Sequence, residues 1–400
     1  MPNGKVLLLE NIHADAVHTF EAKGYQVECL PKSLPEPALC KALAGVTALG
    51  IRSKTVITPE IIEAASDLSV IGAFCIGTDK INLEACASQG IPVFNAPYSN
   101  TRSVAELALG HMLNLLRFIS DRNMEMHRGV WKKTAAGSVE LRGKTLGIIG
   151  YGSIGAQLSV LAESLGMKVL FFDTAEKLCL GNAIRMNNME ELLQEADVVS
   201  VHVSGNPQNI NLISTLQFDA MKKDAIFINL SRGYVVDIEA LTENLRNGKL
   251  KGAAVDVFPE EPDSGDSFKS PLQGLPNTIL TPHIAGSTQE AQKAISGFVS
   301  NKMINYITLG DTRLSVNFPH LDLLYQASSH RFLHIHQNIS GVIAGVSRVL
   351  AGHNFNINGE TLRTMQDLGV VLFDVSGEIT QEIAEELQAV PGTIKVRVLY

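Results

Sequence analysis

The chain has 400 residues, 45% of them apolar, with 33 Lys and Arg against 41 Asp and Glu for a net charge of −8. That length exceeds one hydrophobic core, so two or three domains are expected. The acidic balance, with both signs interleaved, excludes the electrostatic footprint of a nucleic-acid or anionic-membrane binder.

Five cysteines, Cys29, Cys40, Cys75, Cys86 and Cys179, form no C-x-x-C pair and are odd in number. This argues against a disulfide framework or a zinc ribbon and for reduced, mostly buried thiols, with no metal site. The opening "MPNGKVLLLE" has too short an apolar run for a signal peptide, and nothing later approaches the ~20 apolar residues of a membrane span. A cytoplasmic protein is expected.

From "KVLLLE" through "ALGIRS", "LSVIGAFCIG" and "IPVFNAP", β-rich runs alternate with helical patterns at Thr58 to Ala65 and Asn82 to Gln89, an α/β rhythm with a parallel sheet. A long amphipathic stretch follows from Asn100 to about Arg128, with Ser103 and Glu106 spaced as a capping box near its start. A second α/β run begins at Lys144, where "TLGIIG", "KVLFFD", "DVVSVHV", "AIFINLS", "GAAVDVF" and "TILTPHI" read as six parallel strands, the count of a dinucleotide-binding sheet.

After Gly286 a helix runs to about Leu309, which returns the chain to the first domain. The linker is "HLDLLYQASSH". The tail reads strand (Arg331 to Ile339), helix (Gly341 to His353), strand (Ile357 to Thr364), strand (Val370 to Ser376), helix (Thr380 to Ala389), strand (Thr393 to Tyr400), a ferredoxin-like βαββαβ order. The expected fold class is α/β: a doubly wound, Rossmann-type cofactor domain (100–286) inserted in a smaller flavodoxin-like domain (1–99 and 287–327), followed by a ferredoxin-like module (328–400).

Gly150, Gly152 and Gly155 in "GIIGYGSIG" spell G-x-G-x-x-G between a strand and a helix, and the next strand ends in Asp173. The glycines admit a pyrophosphate to the backbone at a helix N-terminus, and Asp173 accepts from ribose hydroxyls while repelling a 2′-phosphate. This selects NAD over NADP.

Three further strand ends carry Arg232, then Asp256 and Glu261, then His283. A hydride leaves a secondary alcohol only as its hydroxyl proton departs, and histidine is suited to accept that proton. Glu261 would hold the ring and stabilise its imidazolium form, and Arg232 would polarise a ketone oxygen or grip a carboxylate. The first domain supplies "GIRSKT" (Arg52, Ser53, Lys54), "FCIGTD" (Gly77, Thr78) and "NAPYSNTRSVAE" (Asn100, Arg102), cations and N–H donors suited to a phosphorylated substrate.

"GIIGYGSIG", "NLSRGYVVD", "AAVDVFPEEP" and "LTPHIAGST", in this order, resemble the D-2-hydroxyacid dehydrogenase family. The resemblance implies Arg232, Glu261 and His283 as the catalytic set, the acid being the glutamate directly before proline and so Glu261 rather than Glu260. It implies NAD contacts from Ser153, Ile154, Asp173, Leu230, Ser231, Arg232, Asp256, His283, Ile284, Ala285 and Gly286, besides the glycines. With the tail it narrows to the branch with a C-terminal ACT module, which oxidises 3-phospho-D-glycerate to 3-phosphooxypyruvate in serine synthesis. Arg52, Ser53, Lys54, Gly77 and Asn100 would then bind substrate.

The tail resembles an ACT domain, an amino-acid sensor that pairs edge to edge with a second copy. The "HIHxN" match implies His336, Asn338 and Asn356 as ligands for L-serine, and a homotetramer. Trp131, flanked by His127, Arg128, Lys132 and Lys133, would reach a neighbouring subunit. Glyoxylate, hydroxypyruvate or 2-oxoglutarate reduction, or an NAD-sensing corepressor, are the alternative functions.

Overall fold

The computed structural model describes residues 4–262, 265–326 and 328–400, so Ala327 of the expected linker and the first three residues lie outside them. The chain divides into two compact units, residues 1–99 with 292–400, and residues 100–291.

In the first unit β1 (Lys5–Leu8), β2 (Gln26–Cys29), β3 (Val46–Ile51), β4 (Val70–Ala73) and β5 (Val93–Phe94) form a parallel sheet in the order β2-β1-β3-β4-β5. β3 and β4 read as continuous apolar runs because both sheet faces are covered. Leu7, Leu49 and Ile71 pack into one cluster, and Val6, Leu8, Ala48 and Val70 into another.

The second unit holds β6 (Thr145–Ile149), β7 (Lys168–Phe172), β8 (Ile184–Arg185), β9 (Val198–Val201), β10 (Ala225–Asn229), β11 (Leu250–Val255) and β12 (Thr278–Leu280), all parallel, in the order β12-β11-β10-β9-β6-β7-β8. This is the doubly wound dinucleotide-binding arrangement, with the order reversing between β6 and β9. It has seven strands where six were expected. β8 is two exposed residues at the sheet edge, too short to show any alternation.

Two expectations for the long helix fail. It breaks at Phe118, whose φ of 54° is left-handed, giving helices Thr101–Arg117 and Ile119–His127. Asn114 takes up the loose end, its Oδ1 accepting from the Ser120 N–H at 2.9 Å. The Ser103/Glu106 capping box also does not form, because the helix starts at Thr101: Ser103 Oγ pairs with Thr288 Oγ1 at 2.8 Å and Glu106 with Arg102 at 2.5 Å.

At the C-terminus β13 (His330–Gln337), β14 (Ile357–Met365), β15 (Leu368–Val375) and β16 (Thr393–Val398) form an antiparallel sheet in the order β14-β15-β13-β16, the ferredoxin-like arrangement. Alternation along β13 sends Phe332, His334 and His336 to one face and Leu333 and Ile335 to the other. The first face is covered by helices Val342–Gly352 and Gln381–Gln388. The second shares a core with Phe94, Met303, Tyr306 and Phe318.

Arg331, only 1% exposed, lies within this sheet and bonds Asp374 through Nε at 2.6 Å and Nη2 at 2.7 Å. Its remaining donors reach the carbonyls of Leu323 at 2.9 Å and Leu324 at 2.8 Å in the connecting segment. A buried arginine persists only when paired and hydrogen-bonded in this way.

The cysteines are free, as expected, but only Cys86 is buried. Cys29 sits on the edge strand β2 and Cys179 on an exposed loop. Among the described residues no helix is long and apolar enough to cross a membrane.

Candidate active site

The glycine-rich turn follows β6, and the backbone requires glycine at two of its three positions. Gly150 has φ of 92°, and a Cβ there would lie 2.7 Å from the His202 carbonyl. A Cβ on Gly155 would lie 2.4 Å from the Gly150 carbonyl, so only glycine lets the helix sit this close to the strand. A Cβ on Gly152 would meet nothing within 4 Å. That open side is where a pyrophosphate fits: Gly152 caps the helix Ser153–Ser164 without a side-chain hydrogen bond, leaving its first N–H groups for a ligand.

Ser153 is exposed and Ile154 half-buried at this turn. Asp173, after β7, is fixed there by accepting from the Tyr151 N–H at 2.8 Å through Oδ2 and from the Ala175 N–H at 2.9 Å through Oδ1.

The expected acid-base residues gather across the ends of β10, β11 and β12. His283 Nδ1 meets Glu261 Oε2 at 2.7 Å, and Glu261 Oε1 accepts from the Phe258 N–H at 3.1 Å. The Glu261 hydrogen bond holds the His283 pKa above its ordinary 6.5, against the opposing effect of burial. Burial pushes Glu261 up, but the His283 bond and charge, the Phe258 N–H and the Arg232 charge outweigh it and leave it below the usual carboxylate value. Both side chains remain partly open, at 44% and 38% exposure, so the imidazole can still meet a ligand.

His283 has a left-handed φ of 54°, uncommon for a non-glycine residue. Asp256 holds it there. This fully buried residue accepts from His283 N–H through its carbonyl at 2.8 Å, and its carboxylate takes the N–H groups of Ile284 and Ala285 at 2.9 Å each and the Thr281 hydroxyl at 2.6 Å. Gly286 closes the turn against Asn100: a Cβ at 286 would lie 2.3 Å from Asn100 Nδ2. The buried Asn100 Oδ1 has no hydrogen-bond partner among the described residues.

Two residues that sequence reasoning missed set the position of Arg232. Asn229 donates to the Arg232 carbonyl at 3.0 Å and accepts from the N–H and hydroxyl of Ser231 at 3.0 and 2.8 Å. Gly233 packs so closely on the next loop that a Cβ would sit 1.9 Å from the Phe258 carbonyl carbon. Leu230 and Ser231 are buried beside them. The "N" and "G" of "NLSRG" were the available signals.

The expected substrate residues of the first unit also converge. Arg52, Ser53 and Lys54 follow β3, and Gly77 and Thr78 follow β4. The Cys75 thiol links the two loops, meeting the carbonyls of Gly77 at 3.1 Å and Arg52 at 3.5 Å.

The expected effector residues are divided. His336 is 3% exposed and His334 fully buried, with their Nδ1 atoms 3.3 Å apart and His334 Nε2 2.9 Å from Thr393 Oγ1. Asn338 is exposed nearby and donates to the Gln366 carbonyl at 3.0 Å. Asn356 lies elsewhere. His336 pairs across from Gly369, whereas Asn356 bonds Ser376, at the opposite end of β15 and about 20 Å along it. One copy of the chain does not bring His336 and Asn356 together.

Residues 109–285 match the family model described as D-isomer specific 2-hydroxyacid dehydrogenase, NAD binding domain, and residues 332–395 match an AHAS small subunit-like ACT domain. Solved relatives of this plan include a D-2-hydroxyisocaproate dehydrogenase (27% identical, TM-score 0.70, covering 78% of this chain and 99% of that one). Another is a D-lactate dehydrogenase from Aquifex aeolicus complexed with NAD and lactic acid (26% identical, TM-score 0.69, covering 78% and 99%). Fold and site thus define an NAD-dependent oxidoreductase of the D-2-hydroxyacid dehydrogenase class.

Curated relatives named D-3-phosphoglycerate dehydrogenase match almost end to end: 46% identity in Dictyostelium discoideum and 48% in Haemophilus influenzae, each covering 99% of this chain and 97% of the relative. The one from Escherichia coli K12 is 46% identical with the same coverage. The chain belongs to the D-3-phosphoglycerate dehydrogenase family.

Proposed function

We propose that the chain oxidises 3-phospho-D-glycerate to 3-phosphooxypyruvate with NAD, the first step of serine synthesis, and is inhibited by L-serine through its C-terminal module. The observation that carries the reading is the 2.7 Å His283–Glu261 pair at the carboxyl edge of a dinucleotide-binding sheet.

Bound NAD supplies the acceptor for the hydride that leaves C2. Glu261 holds the proton on Nδ1 of His283, so Nε2 takes the substrate hydroxyl proton as the hydride departs. The carboxylate then stabilises the imidazolium that results. Arg232 grips the substrate carboxylate and polarises the forming ketone. Gly150, Gly152, Ser153, Ile154 and Gly155 would hold the pyrophosphate of NAD, Asp173 its adenosine ribose, and Leu230, Ser231 and the turn 283–286, braced by Asp256, its nicotinamide end. Arg52, Ser53, Lys54, Gly77 and Asn100 bind the phosphate and carboxylate of the substrate.

In this reading residues 1–99 with 287–327 hold substrate, 100–286 hold NAD and 328–400 hold the effector, in a cytoplasmic homotetramer. Two features support assembly. Trp131 is 78% exposed beside Val130 at 48%, an adjoining apolar pair that a neighbouring subunit would cover. The effector set of His336, Asn338 and Asn356 becomes complete only when a second copy brings its own Asn356 to the pocket. Histidine and asparagine side chains there match the carboxylate, ammonium and hydroxyl of serine.

The test is NADH formation with 3-phosphoglycerate, with and without L-serine. Serine-sensitive turnover is expected. Turnover only with unphosphorylated 2-hydroxyacids would overturn the substrate reading, and serine-insensitive turnover the effector reading.

A further inference from the structure

The strand order β2-β1-β3-β4-β5 reverses direction between β1 and β3, and in open parallel sheets that reversal opens a ligand crevice at the carboxyl ends of the two strands. The residues standing there are Glu10, just past β1, and the run Arg52–Thr55, just past β3. Glu10 and Asn11 both have left-handed φ values, 64° and 53°. Two successive non-glycine residues in that region persist only where their surroundings hold them.

Glu10 is 8% exposed, and its carboxylate collects donors from the other loop. Oε1 accepts from the N–H of Arg52 at 3.3 Å, the N–H of Thr55 at 2.8 Å and the Thr55 hydroxyl at 2.6 Å. Oε2 accepts from the N–H of Lys54 at 3.0 Å. The Arg52 guanidinium is also tethered, Nη1 lying 3.5 Å from the Glu10 carbonyl. Three of the four amides in the run 52–55 are therefore consumed internally. Ser53 is exposed between them, and its amide is not among the donors that Glu10 collects.

We infer that Glu10 is the positioning residue of the substrate loop: by gathering the amides of Arg52, Lys54 and Thr55 it turns the Ser53 amide and the Arg52 guanidinium outward as an anion grip. This rests on the assignment of Arg52 and Ser53 to the phosphorylated substrate. A carboxylate suits the task because it offers only acceptors to four converging donors. A glutamine leaves at least one of those amides facing another donor, and an unsatisfied buried donor is costly.

Steady-state kinetics with 3-phosphoglycerate and NAD test it. Glu10→Gln is expected to raise KM for 3-phosphoglycerate about tenfold while KM for NAD stays within about twofold. Thr55→Val should shift the same KM about threefold, Thr55→Ser should restore it, and the Thr55 pair decides the matter if Glu10→Gln does not fold. A lowered melting temperature with both KM values unchanged, or KM values that rise together, overturns the inference. Arg52→Ala separates the two levels: if it leaves KM for 3-phosphoglycerate unchanged, the substrate assignment itself fails. If Arg52→Ala raises that KM and neither Glu10→Gln nor Thr55→Val does, only the role of Glu10 fails.

Discussion

His283 and the His334–His336 pair place the same side chain in opposite circumstances. His283 is partly open and bonded to a carboxylate, which raises its pKa. His334 is sealed against a second imidazole and a threonine, and burial first, then the His336 charge, pushes its pKa down to about 3. His336 is lowered too, by burial. A histidine is thus an acid-base group or a fixed neutral hydrogen-bonding element according to its neighbours. Here the carboxylate at 2.7 Å decides it for His283, and burial decides it for His334.

The comparison breaks most visibly at His283. His283→Ala should lower kcat by roughly 10²–10⁴, the usual worth of a positioned acid-base group, while leaving NAD binding measurable by fluorescence titration. His334→Gln should cause no comparable loss in serine-free assays.

Glu261→Gln should lower kcat less than His283→Ala and also move the pH profile. On the proposed mechanism the wild-type oxidation rate should rise as His283 deprotonates, through a pKa above 6.5. Without the carboxylate that pKa falls, so the rising limb shifts to lower pH, which a kcat/KM profile would show directly.

The buried pair makes an acid-stability prediction of opposite character. Between pH 6.5 and about 3 the unfolded chain binds a proton at residue 334 that the native chain does not. Stability is therefore lost as pH falls through that window, at about 1.4 kcal/mol per pH unit for one such group. His334→Gln should flatten the fall in melting temperature between pH 6.5 and 4. The smallest expected effect is Thr393→Val, which removes the partner of His334 Nε2 and should cost about 1 kcal/mol in chemical denaturation.

How much of this could be read from sequence depended on how locally each feature is encoded. "GIIGYGSIG" is a single turn whose glycine spacing maps directly onto the backbone, so its structural context was legible in one stretch. The family pattern before proline picked Glu261 over Glu260, and Glu261 is the acid found against His283. Glu10 could not be found this way. Its partners lie more than 40 positions away and are brought to it only by the pairing of β1 with β3. The break at Phe118 was hidden because residues on both sides keep helical spacing, and one left-handed φ leaves no trace in an apolar pattern. The His336–Asn356 separation became visible only with the register of β13 on β15.

Arg331 has a mechanical consequence. It spans the C-terminal sheet and the connecting segment at once, gripping Asp374 with one edge and the Leu323 and Leu324 carbonyls with the other. Swivelling the sheet about that segment would strip a buried cation of its counterion or its carbonyls, at a cost of several kcal/mol. Sheet and strap are therefore clamped as one rigid piece, with no hinge at residues 323 and 324.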